Sequence, residues 1–127
     1  MEHYLIDTNV VSDYFSASIS QAGMALMDLA TDAVPTISII TQIELLCWNT
    51  DAITTQQVQE FIGDSRVLDI NPDVIVQCVR IRKTKKIKLP DAIIAATALV
   101  YDLVLISRNT SDFNNIDGLK VIDPHSL

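Results

Sequence analysis

Asp7, Glu44, Asp91, Asn109 and Asp112 are polar residues set beside short apolar runs or inside amphipathic stretches. Asp7 follows Tyr4-Leu5-Ile6, and Glu44 sits within Ile39-Ile40-Thr41-Gln42-Ile43-Glu44-Leu45-Leu46. Asp91 opens Pro90-Asp91-Ala92-Ile93-Ile94-Ala95-Ala96, and Asn109 and Asp112 follow Leu103-Val104-Leu105-Ile106-Ser107-Arg108. A carboxylate in apolar company is costly unless a cation or hydrogen bonds compensate it. Several such groups meeting at one point would favour a hard cation such as Mg2+ or Mn2+. Carboxylate-bound ions of this kind serve in the hydrolysis of phosphodiesters.

Residues so far apart converge only if the fold brings them together. Apolar runs at residues 3–6, 33–37, 66–70, 103–106 and 119–122 predict short strands. Between them, helical spacing predicts helices over about 10–15, 20–30, 38–49, 54–63, 71–83 and 89–101. Thr54-x-x-Gln57 has a capping-box pattern, and Pro72 suits a first helical position. The Ala-rich segment 92–101 should pack very close to a neighbour. Strands alternating with helices predict an α/β fold with a parallel sheet covered on both faces. Ligands bind such sheets beyond the carboxyl ends of the strands, where Asp7, Asn109 and Asp112 fall. Glu44 and Asp91 lie in helices that can face the same crevice.

Each residue also has an ordinary alternative. Asp7 is a candidate helix N-cap, and Thr41-x-x-Glu44 a candidate capping box. Asp91 could complement a helix N-terminus, and Asp112 could cap a turn. Thr8 and Asn9 are placed to hold Asp7 or to cap a helix. Ser107 and Asn109 could bond a water or a substrate phosphate. Arg108 could contact phosphate or pair with an acid.

The chain has 127 residues, 49% hydrophobic and 20% charged, a globular composition that fits one domain over 1–127. The formal charge is −7, yet six of the nine basic residues are Arg80, Arg82, Lys83, Lys85, Lys86 and Lys88. That run is either a solvated helix end or a patch that steers phosphate, with Lys85, Lys86 and Lys88 as candidate phosphate contacts. Cys47 and Cys78 have no CxxC spacing and are expected to be reduced and buried. The two histidines, His3 and His125, and the three glycines supply no hydrolase triad, P-loop or dinucleotide motif. No apolar run is long enough for a membrane span and the start lacks a basic leader, so a cytoplasmic location is expected.

Four segments together carry a family resemblance: Leu5-Ile6-Asp7-Thr8-Asn9, Ser38 to Leu45, Leu89 to Ala98, and Leu105-Ile106-Ser107-Arg108-Asn109-Thr110-Ser111-Asp112-Phe113. In this order and spacing the chain resembles the PIN domain and, within it, the VapC-type toxins of bacterial toxin–antitoxin pairs. The resemblance implies a three-layer α/β/α sandwich with a parallel five-stranded sheet and a Mg2+- or Mn2+-dependent endoribonuclease. It matches Asp7, Glu44 and Asp91 to the three constant acids of the family site. Where many relatives have a fourth acid this chain has Asn109, and Asp112 is the nearest carboxylate. The resemblance also implies an RNA substrate, a cognate antitoxin and a homodimer; a mean hydropathy of +0.29 agrees with interface surface. The alternatives are an RNA-processing nuclease of the same family and a non-catalytic binding module.

Overall fold

Strand β1 (Tyr4–Ile6) runs parallel to β4 (Val104–Ile106), with Leu5 opposite Leu105 and Ile6 opposite Ile106. The structure, a computed structural model, describes residues 3–16, 18–32 and 34–127. Strand β5 (Val121–Ile122) lies parallel on the other side of β4, so the main sheet has the order β1-β4-β5. Strands β2 (Thr36–Ser38) and β3 (Arg66–Leu68) form a second parallel pair. β2 runs close beside β1 without a ladder of hydrogen bonds between them. The expected single five-stranded sheet is thus divided into ladders of three strands and two. Strands this short share few ladder bonds, and a small splay from sheet twist is enough to remove them. Ala33, expected to begin the second strand, lies outside the described residues.

The helices are α1 (Thr8–Phe15), α2 (Gln21–Thr31), α3 (Ile39–Leu46), α4 (Ala52–Asp64), α5 (Pro72–Thr84), α6 (Leu89–Val100) and the single turn α7 (Thr110–Phe113). A 3-10 turn follows at Pro124–Ser126. Successive side chains on a strand point to opposite faces. Leu5 and Leu105 enter a core with Val74 and Ile81 of α5, Ala92 and Ala95 of α6, and Phe113 of α7. Ile6 and Ile106 enter the opposite core with Val10 and Val11 of α1, Met27 of α2, Leu45 of α3 and Val58 of α4. Helices therefore cover both faces, and the Ala-rich α6 packs most extensively on α5.

Local chemistry sets the helix starts. Ser38 accepts the Thr41 amide at the head of α3, and Asn71 accepts the Val74 amide at the head of α5, just before Pro72. α4 begins three residues earlier than the Thr54-x-x-Gln57 pattern predicts. Asp51 is its cap, accepting the Thr54 amide at 2.7 Å and its hydroxyl at 3.0 Å, because a carboxylate can take both donors. Cys78 is buried as expected, but Cys47 is exposed, since it caps the C-terminus of α3 where the chain leaves the core. Among the described residues no helix is long and apolar enough to cross a membrane.

Candidate active site

Asp7 stands where β1 ends and α1 begins. Its amide donates to the Ile106 carbonyl at 2.9 Å, which extends the β1–β4 ladder to the carboxyl ends of the strands. Its side chain is buried and caps α1 through the Thr8 amide at 2.8 Å. The other carboxylate oxygen, Oδ2, accepts from the Ser107 hydroxyl at 2.8 Å and from Asn9 Nδ2 at 3.2 Å. Burial pushes the Asp7 carboxyl up to about 6, helped by the charges of Asp91 and Glu44, while the bonds from Ser107 and Thr8 pull the other way.

Glu44 reaches the same place from the exposed side of α3. Its Oε1 accepts the Thr8 hydroxyl at 2.6 Å. The capping box with Thr41 is not formed, because Ser38 caps α3 and the buried Thr41 packs its hydroxyl 3.1 Å from that of Thr8. Asp91 lies in the first turn of α6, where the helix dipole favours it. Its carboxyl is nevertheless raised, by burial first and then by Asp112 and Glu44, with Lys88 opposing. Asp112 lies in α7, and Asn109 Nδ2 donates to its Oδ2 at 2.7 Å. Asn109, itself anchored by its amide on Ser107 Oγ at 3.0 Å, thus orients the acid three residues on.

Asp7, Thr8, Asn9, Glu44, Asp91 and Arg108 line one open cavity of about 390 Å³, joined by Cys47 and Trp48. Asp112 is outside that lining and meets the group through its field on Asp91. Lys88 stands beside Asp91, whereas Lys85 and Lys86 line a separate depression with Arg82 and Lys83. Lys85 Nζ donates to the Asn114 carbonyl at 2.6 Å. Three features escaped the sequence reading. Trp48 and Cys47 border the cavity. Asp13, buried on α1, holds both Arg108 and His125. Only Asp13 left a trace in the sequence: it is the one acid among the helical residues 8–15.

The donor set suits a hard divalent cation, being all oxygen, with two carboxyls lifted first by burial and then by neighbouring carboxylates. Among the described residues no three His, Cys, Asp or Glu side chains already converge on a point. Glu44 is turned to Thr8, and Asp112 to Asn109.

The family model described as PIN domain matches residues 4–119. A solved toxin–antitoxin complex from Klebsiella pneumoniae contains a chain 34% identical to this one, covering 95% of this chain and 97% of that one with a TM-score of 0.77. FitAcB from Neisseria gonorrhoeae is similar at 24% identity, with 98% and 99% covered and a TM-score of 0.78. VapBC2 from Rickettsia felis, solved bound to a DNA fragment from its promoter, is similar at 20% identity, with 94% and 96% covered and a TM-score of 0.75. No curated protein matches the chain.

Proposed function

Because the chain belongs to the PIN-domain family, we propose that it is the toxin of a toxin–antitoxin pair, an endoribonuclease dependent on Mg2+ or Mn2+. The observation that carries this reading is the meeting of Asp7, Glu44 and Asp91 at one open cavity from three separate elements. The raised carboxyls of Asp7 and Asp91 are the expected mark of acids gathered for a cation.

In this reading Asp7, Glu44 and Asp91 hold the ion, and Asp112 completes the acidic set from α7. Such an ion supplies charge neutralisation for a phosphodiester and acidifies water near it. Ser107, Asn9 and the Thr8 amide keep Asp7 oriented, and Thr8 does the same for Glu44 through its hydroxyl. Asn109 orients Asp112. A carboxylate outside the ion's shell serves as general base toward the attacking water. Arg108 at the cavity rim contacts the RNA phosphate, and Lys88 extends the positive approach beside Asp91. Lys85 and Lys86 attract the RNA backbone farther along.

The antitoxin follows from the solved relative, a toxin–antitoxin complex. Exposed Ile43 and Leu46 on α3, with Trp48 just beyond it at the cavity, offer an apolar surface for it. Ile75, Val76 and Val79 form an exposed apolar stripe on α5 that suits a homodimer. A single domain over 1–127 acting in the cytoplasm completes the reading.

The test is cleavage of purified total RNA with Mg2+ or Mn2+, with EDTA, and by Asp7→Asn and Asp91→Asn proteins. Discrete fragments that vanish in EDTA and in both variants are expected. A folded, antitoxin-free protein that leaves RNA intact under every condition sinks the nuclease reading and favours a binding module.

A further inference from the structure

Asp13 is the most deeply buried ion-paired acid outside the carboxylate cluster. Its side chain is 10% exposed, against 55% for its partner Arg108. Arg108 Nη1 donates to both Asp13 oxygens, at 3.1 and 3.2 Å. His125 Nε2 lies 2.7 Å from Asp13 Oδ2 and, facing a carboxylate acceptor, is placed to donate. Three elements therefore meet on this carboxylate: α1, the segment leaving β4, and the 3-10 turn at Pro124–Ser126.

The turn is itself held. Asp123 accepts the His125 amide at 2.9 Å, and Ser20 at the head of α2 donates to the Pro124 carbonyl at 3.3 Å. The Arg108 backbone is held as well, since its amide donates to Asn9 Oδ1 at 3.2 Å. Asn9 in turn bonds Asp7, so the guanidinium and the cavity floor share one scaffold. Among the described residues, only Nη1 of the Arg108 guanidinium is engaged. Nε and Nη2 carry no such bond, and Arg108 lines the cavity with Asp7, Glu44 and Asp91.

We infer that Asp13, braced by His125, is a positioning residue that fixes Arg108 over the carboxylate cavity so that its unused N–H groups grip the RNA phosphate undergoing cleavage. The inference rests on the nuclease reading and adds to it a residue that touches no substrate. A long, half-exposed arginine left to itself samples many rotamers, and a pinned one presents its donors without that entropy loss. The same pairing partly neutralises Arg108, so Asp13 serves geometry at the expense of raw attraction for RNA.

That opposition supplies the test. Wild type, Asp13→Asn, Arg108→Ala, the double variant and His125→Ala are assayed on a labelled, mixed-sequence single-stranded RNA with Mn2+. Melting temperature and RNA affinity against salt in EDTA are measured alongside. Asp13→Asn should lower kcat about tenfold or more while KM stays level or falls. Arg108→Ala should lower kcat and also reduce the salt slope by about 0.7, the loss of one single-strand phosphate contact. The double variant should be no slower than Arg108→Ala alone. His125→Ala, which leaves the Asp13–Arg108 pair in place, should show a smaller loss of kcat at unchanged KM.

Wild-type kcat in a folded Asp13→Asn protein overturns the inference, as do additive losses in the double variant. If Asp13→Asn does not fold, His125→Ala decides, and an unchanged kcat there overturns the inference. A wild-type protein that cuts nothing removes the nuclease reading itself, an outcome distinct from active enzyme with indifferent variants.

Discussion

The Ser107 hydroxyl donates to Asp7 Oδ2 at 2.8 Å, joining two buried residues 100 positions apart in the chain. Ser107 also accepts the Asn109 amide at 3.0 Å, so one side chain links the acid at the end of β1 to the segment that orients Asp112. Ser107→Ala should cost about 1–3 kcal/mol, because a buried carboxylate oxygen and a partly buried amide each lose a partner. The lost bond also removes a pull that lowers the Asp7 pKa. The acid limb of the kcat/KM profile should therefore move to higher pH, which a pH series on the variant reads directly.

Asp7 makes metal-free stability depend on pH. Its carboxyl is raised from 3.8 to about 6, so the fold binds its proton more tightly than the unfolded chain does. The stability tied to that proton is full below pH 3.8 and is lost as pH rises through about 6. A shift of about two pH units corresponds to about 3 kcal/mol at most. Asp7→Asn has no such proton, although its amide would bring a donor against that of Asn9. Urea unfolding in EDTA should therefore show wild type losing ground to Asp7→Asn between pH 4 and 7. Millimolar Mg2+ should raise the melting temperature of wild type only. Parallel curves for the two proteins, or no response to metal, would contradict this assignment.

Asn109→Asp probes the fourth acidic position. Asn109 Nδ2 lies 2.7 Å from Asp112 Oδ2, a spacing that two carboxylates hold only with a proton or a cation between them. Without metal the variant should melt lower, by about 4 °C for each kcal/mol lost. The Mg2+ concentration that restores its stability should be lower than the one wild type requires. Thermal melts titrated with Mg2+ read both effects. An unchanged metal dependence would place Asp112 outside the ion's reach.

The basic residues are not equivalent. Lys88 acts on Asp91, whereas Lys85 and Lys86 belong to a separate depression. Charge reversal of all three should weaken RNA binding and flatten its salt dependence, each lost contact removing about 0.7 from the slope. Among single variants Lys88→Glu should do most, since Lys88 stands beside Asp91 at the cavity whereas Lys85 and Lys86 lie apart from it. Equal affinity for the triple variant and wild type would return the run to plain solvated surface.

Gly23 of α2 lies under the 3-10 turn. A Cβ there would run into the Pro124 carbonyl and the Ile19 side chain. Gly23→Ala gains about 1 kcal/mol of helix propensity, but the overlap with backbone costs about 1–3 kcal/mol and should prevail. The turn must shift to relieve it, and His125 shifts with the turn. Lower stability in chemical unfolding is expected, together with a kcat loss resembling that of His125→Ala.

The parts of the fold that rest on local pattern were legible in the sequence. The apolar runs at residues 3–6 and 103–106 became paired parallel strands. Asn71-Pro72 and Pro90-Asp91 marked the heads of α5 and α6. Asp7, Glu44 and Asp91 were expected to face one crevice at the edge of a parallel sheet, and the structure brings all three to one cavity. What escaped depends on three-dimensional spacing. The split between β1 and β2 is a matter of splay between short strands, which no pattern encodes. Asp51 outcompeted Thr54 as a cap because a carboxylate accepts two donors, although the capping-box motif favoured the threonine. Cys47 fits an apolar periodicity but falls where α3 ends and the chain turns outward. The tie between Asp13 and His125 spans 112 residues and leaves no local trace.

The pairing of β1 with β4 also bears on when the protein can become active. Tyr4–Ile6 is made well before its ladder partner Val104–Ile106. While a ribosome is still extending the chain, Asp7 has neither the Ile106 carbonyl for its amide nor Ser107 for its carboxylate. The carboxylate edge of the sheet cannot assemble until Ile106 and Ser107 have emerged. On the proposed reading, a chain abandoned before Ser107 is a harmless one.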